Sequence, residues 1–566
     1  MEIELDGNNE LKSGKGRAGL EKTSTGTLTL KDDNKEAGSL TATGGYNGAG
    51  IGGGNGDGAE NITITGGTVT ATGGSSGAGI GGGREGKGEN ITITGGTVNA
   101  TGNEDGAGIG GGSSGSGENI TINDGKVTAT GGSYAAGIGG GSVGAWGGDA
   151  GSGKNITING GTVNATGTDG GAGIGGGSRC SGEAITITGG TVNATGTDGG
   201  AGIGGGDEGS GEDITITGGT VNAAGGDFGA GIGGGLNGVG KNITIAGGRV
   251  TVAGGDYGAG IGGGFRGNGE NITITGGTVT AAGGNGAGIG GGEEGDGKNI
   301  TITGGTVTAK GRLGGAGIGG GEQGNGEDIT ITDGTVNAAG GVSGAGIGGG
   351  VNGIGSKVTV SGAAQVTAIA GKPDLSGAGA TIGGGGKRTY ENGVYTYSDG
   401  KEIQADIKGL TTGYIHHIIY NLDGSLKREW WEPERPQPNP ESPQPNPDGP
   451  NAPAGESNEV DLGTPWLHVE TLEGDPLPFD ARQQGRTLRV TTDTLAARLH
   501  GNREALEALR EQGVEQIVFV TTLKTTTLSV EDLLAEGGSW FALEHDGLGS
   551  RRLSAAQAES LKCRMH

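Results

Sequence analysis

Aromatic side chains are nearly missing from this sequence: Phe, Trp and Tyr make up 3% of its 566 residues. A core of large rings is therefore excluded, and composition alone would leave too little apolar bulk to offset chain entropy. Cysteine is as scarce. Cys180 and Cys563 stand far apart in the chain, so neither a disulfide framework nor a cysteine metal pair is available. Histidine does not occur before His416, which removes the usual proton shuttle from the first two thirds of the chain. Basic residues are outnumbered, 37 against 63 acidic, for a net charge of −26. That balance excludes a nucleic-acid partner, whose phosphates demand clustered Lys and Arg. No apolar run is long enough to span a bilayer. A signal peptide is not visible, since Met1 leads directly into a strand-like Glu2-Ile3-Glu4-Leu5, and the start is expected to lie inside a larger protein.

What is abundant is glycine, 147 residues, without the G-X-Y period of collagen. It recurs at a longer period. The motif G-A-G-I-G-G-G, or a close variant, returns with its Ile at 51, 80, 109, 138, 174, 203, 232, 261, 289, 318, 347 and 382. The step is 29 residues except for 36 before Ile174, 28 before Ile289 and 35 before Ile382. One unit reads Asn61-Ile62-Thr63-Ile64-Thr65, a Gly66-Gly67 corner, Thr68-Val69-Thr70-Ala71-Thr72, a turn, and Ala78-Gly79-Ile80-Gly81. Each segment alternates with period two, so Ile62, Ile64, Val69, Ala71, Ala78 and Ile80 are expected to point inward and the threonines outward. A lone unit cannot bury its apolar face, whereas stacked copies can. The predicted fold is all-β: a parallel β-helix of about 12–13 coils, three short strands per coil, on the order of 60 Å long.

Stacking converts each repeat position into a column, so function is sought in columns. Thr63, Thr92 and Thr121 begin a column that is Thr in every copy, a flat array of the kind that binds a polymer or orders water. Its neighbour is interrupted by Asn123, Asn159 and Ala246, which weakens an ice-binding reading. A charged column runs Glu60, Glu89, Glu118, Lys154, Glu183, Glu212, Lys241, Glu270, Lys298, Glu327. Interposed lysines relieve the repulsion of stacked glutamates. Glu60, Glu89 and Glu118 have none between them in the column and are the candidate ligands for a divalent cation such as Ca²⁺, although the Ca²⁺-binding nonapeptide spacing is not present. The next column, with Asn61, Asn90, Asn119, Asn155, Asn242, Asn271 and Asn299, predicts an amide ladder. The few rings gather at turns: Tyr46, Tyr134, Phe228 and Tyr257 precede their Ile by four or five residues, and Trp146 sits in the seven-residue insertion. These are the candidate ligand-binding aromatics, suited to stacking on sugars. In the third strand the alternate positions are all Gly, which predicts a bare face open to packing against another sheet or a second copy.

Catalysis finds no support in these columns. Glycoside chemistry needs carboxylates converging on one groove, whereas the strand faces offer Thr, Asn and Gly and the acids lie in turns. The expected protein is not an enzyme. After residue 386 the pattern dissolves into a predicted cap, 387–431, in which Tyr414 to Tyr420 closes the open solenoid end. Residues 432–457 hold nine of the thirteen prolines and read as an extended spacer. Residues 458–566 have ordinary composition and predict a small α+β module, with strands at 488–490, 517–520 and 540–543 and helices at 503–511 and 530–535.

The phrase NITITGGTVTATGG…GAGIGGG at residues 61–83 resembles repeats in large surface proteins of anaerobic Gram-positive bacteria. More distantly it is similar to parallel β-helix carbohydrate-binding proteins. The resemblance covers roughly residues 1–386 and implies an extracellular or cell-surface, adhesin-like protein that binds polysaccharide or cell-surface glycan with Ca²⁺; it supplies no site residues. The alternative reading is a structural stalk that projects another module.

Overall fold

The computed structural model describes residues 1–433 except 34–36, 143–150, 375, 392–393 and 424. Within 467–558 it describes all but 473–476, 478, 493, 495, 522–523, 536–537, 547–548 and 555–556. The chain divides into two compact units, Met1–Pro438 and Asn439–His566.

The first unit is the parallel solenoid. Equivalent residues lie directly over one another: Ile62 pairs with Ile91 and Ile91 with Ile120, Val69 with Val98, Ile51 with Ile80. The third strand of each coil, two residues long, forms a ladder of 13 strands from Leu20–Glu21 to Ile382–Gly383. The irregular steps leave the register intact, because Ile138 still pairs with Ile174 and Ile347 with Ile382. The first two strands of each coil are counted in one 27-stranded sheet, since Gly297–Lys310 and Gly326–Ala339 run through the corner unbroken. Period-two alternation does set the core: Ile62, Ile64, Val69, Ala71, Ala78 and Ile80 are all fully buried. The degenerate first coil is present too. Glu2–Glu4 and Asn8–Lys12 pair with Leu28–Lys31 and Ser39–Thr43.

The bare glycine face is a correction. Gly77, Gly79, Gly81, Gly82 and Gly83 are all buried, as are their equivalents in the neighbouring coils. The reason is a chain reversal: the Ala78 amide donates to the Gly82 carbonyl at 2.9 Å, so the third side is a tight loop, not a flat strand. It tucks Gly79 against the second strand, where an added Cβ would lie 2.6 Å from the Thr101 nitrogen. The glycines therefore do not form the bare strand face that alternation predicts.

At the C-terminal end, Tyr414–Tyr420 adds in parallel to Gln365–Ile369, and Leu426–Glu432 returns antiparallel to it. A hairpin of Lys387–Glu391 and Val394–Ser398 precedes them. Most of the Pro-rich spacer, 434–457, lies outside the described residues.

Among its described residues the second unit holds two four-stranded sheets and two helices. Helix Arg503–Glu511 is capped by Asn502, whose side chain accepts from the Ala505 amide at 2.9 Å, and Val530–Ala535 is the second helix. Their apolar faces, with Leu506, Leu509, Leu533 and Leu534, close over Leu488, Val490, Ile517, Phe519 and Leu543. No helix among the described residues is long and apolar enough to cross a membrane.

Candidate functional site

The surface of the solenoid is built from ladders. Thr63, Thr92 and Thr121 are stacked in register and half-buried, presenting a regular row of hydroxyls and methyls. On the second strand, Asn193 donates to Asn164 and Asn222 to Asn193, both at 2.8 Å, an amide ladder that the column reading did not single out.

The expected corner ladder exists. Asn90 donates to Asn61, Asn119 to Asn90 and Asn155 to Asn119, each at 3.1 Å, and Asn271 and Asn299 continue it from Asn242. Every residue of this column has a left-handed backbone, φ 52–60° from Asn61 through Lys357. Asn tolerates that conformation better than other side chains, which explains its recurrence. The ladder breaks at Ala184, φ 54°, between Asn155 and Asp213. Ala184→Asn is accordingly expected to stabilise the solenoid by about 1 kcal/mol, relieving a left-handed alanine and donating to Asn155. Asp213 can only accept, so Ala184→Asn with Asp213→Asn should add a further bond. Urea unfolding midpoints of the three proteins check this; no rise in either variant would show that the ladder is passive.

The charged corner is partly as expected. Glu60, Glu89 and Glu118 are stacked in register, but Glu89 and Glu118 do not stand without a cation. Lys87 reaches Glu118 at 3.1 Å and Glu89 at 3.6 Å from the turn before the strand. An ammonium thus supplies charge compensation that the column alone did not show. Lys154 pairs with Glu183 at 3.2 Å, whereas Lys298 turns to Asp296 of its own coil at 2.9 Å.

Of the candidate rings, the structure brings two together and adds a third. Phe228 and Tyr257, on adjacent coils, stack with centroids 4.9 Å apart and planes 8° apart. Phe265 packs on both, at 5.9 and 5.5 Å, and the Arg266 guanidinium lies 4.7 Å from the Phe265 centroid while pairing with Glu294 at 2.9 Å. Phe265 escaped the sequence reading because it sits in the turn after the short strand, not the turn before it. The backbone joins these turns, Phe265 amide to Phe228 carbonyl at 2.8 Å. Tyr46 and Tyr134 stand apart in other coils, 54% and 43% exposed; the Lys15 ammonium is 5.4 Å from the Tyr46 ring. Trp146 lies outside the described residues.

A family model described as a beta helix repeat matches eleven segments: 36–55, 62–84, 91–113, 120–142, 156–178, 185–207, 214–236, 243–265, 272–293, 300–322 and 329–351. Ten of these segments run from the first strand of a coil to the turn after the short one, and 36–55 starts just before the second strand of its coil, Ser39–Thr43. No curated protein and no solved structure matches the chain.

Proposed function

We propose that this chain, a β-helix repeat protein, is a non-catalytic scaffold that binds carbohydrate, as an adhesin-like protein outside the cell. The observation that carries this reading is the Phe228–Tyr257–Phe265 patch with Arg266 and Glu294 beside it, on a solenoid otherwise almost free of rings. Ring faces match the C–H faces of sugars, and a flanking ion pair offers donors and acceptors to hydroxyls. The column that begins with Thr63, Thr92 and Thr121 repeats at roughly 4.8 Å per coil, so a polymer would meet a threonine on every rung.

Retention on a panel of insoluble polysaccharides, with Ca²⁺ and with a chelator, tests it. Wild type should be retained by at least one, and Phe228→Ala/Tyr257→Ala should lose about tenfold or more in affinity, as truncated aromatic anchors do. Equal retention of the variant would overturn the patch. A wild type that binds none would favour the second reading, a structural stalk, which the in-register stacking of the coils supports.

A further inference from the structure

The second unit carries a cluster that no short sequence motif announces. Leu467–Glu470 pairs antiparallel with Ala496–Asn502, and His468 lies directly opposite His500. Glu470, two residues on, shares the face of His468 because side chains alternate along a strand. One donor atom from each of His468, Glu470 and His500 lies within 4.8 Å of the others. The imidazoles meet edge to face, centroids 5.0 Å apart.

The hydrogen bonds around these groups leave the cluster unfinished. His500 is fully buried, and its Nε2 stands 3.1 Å from the Ala558 carbonyl. A carbonyl only accepts, so Nε2 holds the proton and Nδ1 holds the lone pair. That Nδ1 has no hydrogen-bond partner among the described residues, and neither ring nitrogen of His468 has one. A buried acceptor left bare costs about 1–3 kcal/mol; a neutral imidazole carries one lone pair, so His468 and His500 each bring one such acceptor to the cluster, beside the Glu470 carboxylate, and the three together call for a cationic occupant. Glu470 is oriented from behind: its Oε1 accepts from Arg498 at 2.6 Å, and Arg498 is held by Glu544 at 3.0 and 2.8 Å and by the Leu472 carbonyl at 2.8 Å. Its Oε2 faces His468 Nε2 at 3.4 Å.

We infer that His468, Glu470 and His500 form a binding site for a divalent transition-metal ion of the Zn²⁺ class. Two imidazole nitrogens and one carboxylate oxygen suit such an ion, and not Ca²⁺ or Mg²⁺, which take oxygen sets. The carbonyl behind His500 and the guanidinium behind Glu470 fix ligand orientation from outside the donor set. The His468 side chain, 19% accessible against a fully buried His500, is the more exposed of the two imidazoles. Bound there, the ion ties together two strands of one sheet.

The test uses the full chain, stripped of metal and titrated with Co²⁺, then Zn²⁺. One Co²⁺ per chain should bind with the strong visible bands of low-coordinate cobalt, be displaced by Zn²⁺, and raise the melting temperature of the C-terminal unit. His468→Gln, at the more exposed imidazole, should keep its circular dichroism and its melting temperature in chelator. It should bind more than about a hundredfold more weakly. His500→Asn serves as a second variant, with the same loss expected. Octahedral-type spectra, or equal binding by both variants, would assign uptake to solenoid carboxylates and overturn the site. No thermal shift with Zn²⁺ would show that water alone satisfies these nitrogens, with the same consequence.

Discussion

Gly204→Ala is expected to destabilise the solenoid by about 4 kcal/mol or more, while Gly26→Ala leaves it within roughly 0.5 kcal/mol. Gly204 follows Ile203 in the two-residue strand, with φ +134°, a backbone that a β-carbon opposes. An added Cβ would also fall far inside van der Waals contact distance of the Gly233 carbonyl oxygen, one coil along. That neighbour is backbone, fixed by the Gly205 amide donating to its carbonyl at 2.9 Å, so it cannot swing away as a side chain would. The same contact recurs from coil to coil, which leaves the rung spacing no room to expand locally. Gly26 has nothing within 4 Å and no left-handed backbone. Chemical denaturation of both variants, followed by far-UV circular dichroism, measures the difference. Equal midpoints would show that the third ladder is softer than its packing implies.

That prediction turns on the part of the fold least legible in the sequence. Alternation identified the inward Ile and Val of the first two strands because a large apolar residue and a polar one mark opposite faces. In Gly79-Ile80-Gly81 the alternate residue is glycine, which looks the same whether it faces solvent or another backbone. In the fold Gly79 lies pressed against the Thr101 backbone. The Asn ladder was readable because amides stack only in register. Lys87 was not, since it reaches the Glu column from the turn before it. The strands carrying His468 and His500 went unrecognised for another reason. Leu467–Glu470 is four residues long and half polar, and Ala496–Asn502 mixes Arg and His among its apolar residues, so neither alternates in hydropathy strongly enough to register. Pairing those strands is what assembles the cluster.

Acidification is expected to loosen the C-terminal end of the solenoid between about pH 6.5 and 4. His417 lies in the strand laid over Gln365–Ile369, opposite Ala368, and is 3% exposed. Its Nδ1 is 2.7 Å from the Thr381 hydroxyl, and its ring stacks on Trp430 at 4.4 Å. Burial, the neighbouring His416 and the Arg428 charge together push its pKa down to about 4. In the unfolded chain the same ring takes a proton near pH 6.5. Below that value the unfolded state binds a proton the folded state refuses, so stability falls as pH drops and levels off once both are charged near pH 4. At 1.36 kcal/mol per pH unit the full window is worth about 3 kcal/mol. Glu402 acts in the opposite sense: burial raises its carboxyl, against the bonds it accepts from the Thr381 and Ile382 amides, so it gains protons in the folded state as pH falls. That offset sets in as pH falls through the raised value and is complete near pH 4.3, where an unfolded glutamate titrates, so it opposes the His417 loss without sharing its origin. Glu432, 3.9 Å from His417 Nε2, is too far to form a strong charge-assisted bond with an imidazolium. Solenoids unravel from their ends, so the effect belongs in the terminal strands and not in the central coils. Amide exchange of the peptide spanning 414–432, corrected for the intrinsic rate, should lose protection across this window in the wild type and stay nearly flat in His417→Asn. An identical slope in both would place the acid sensitivity elsewhere and show that the buried imidazole does not govern the end of the stack.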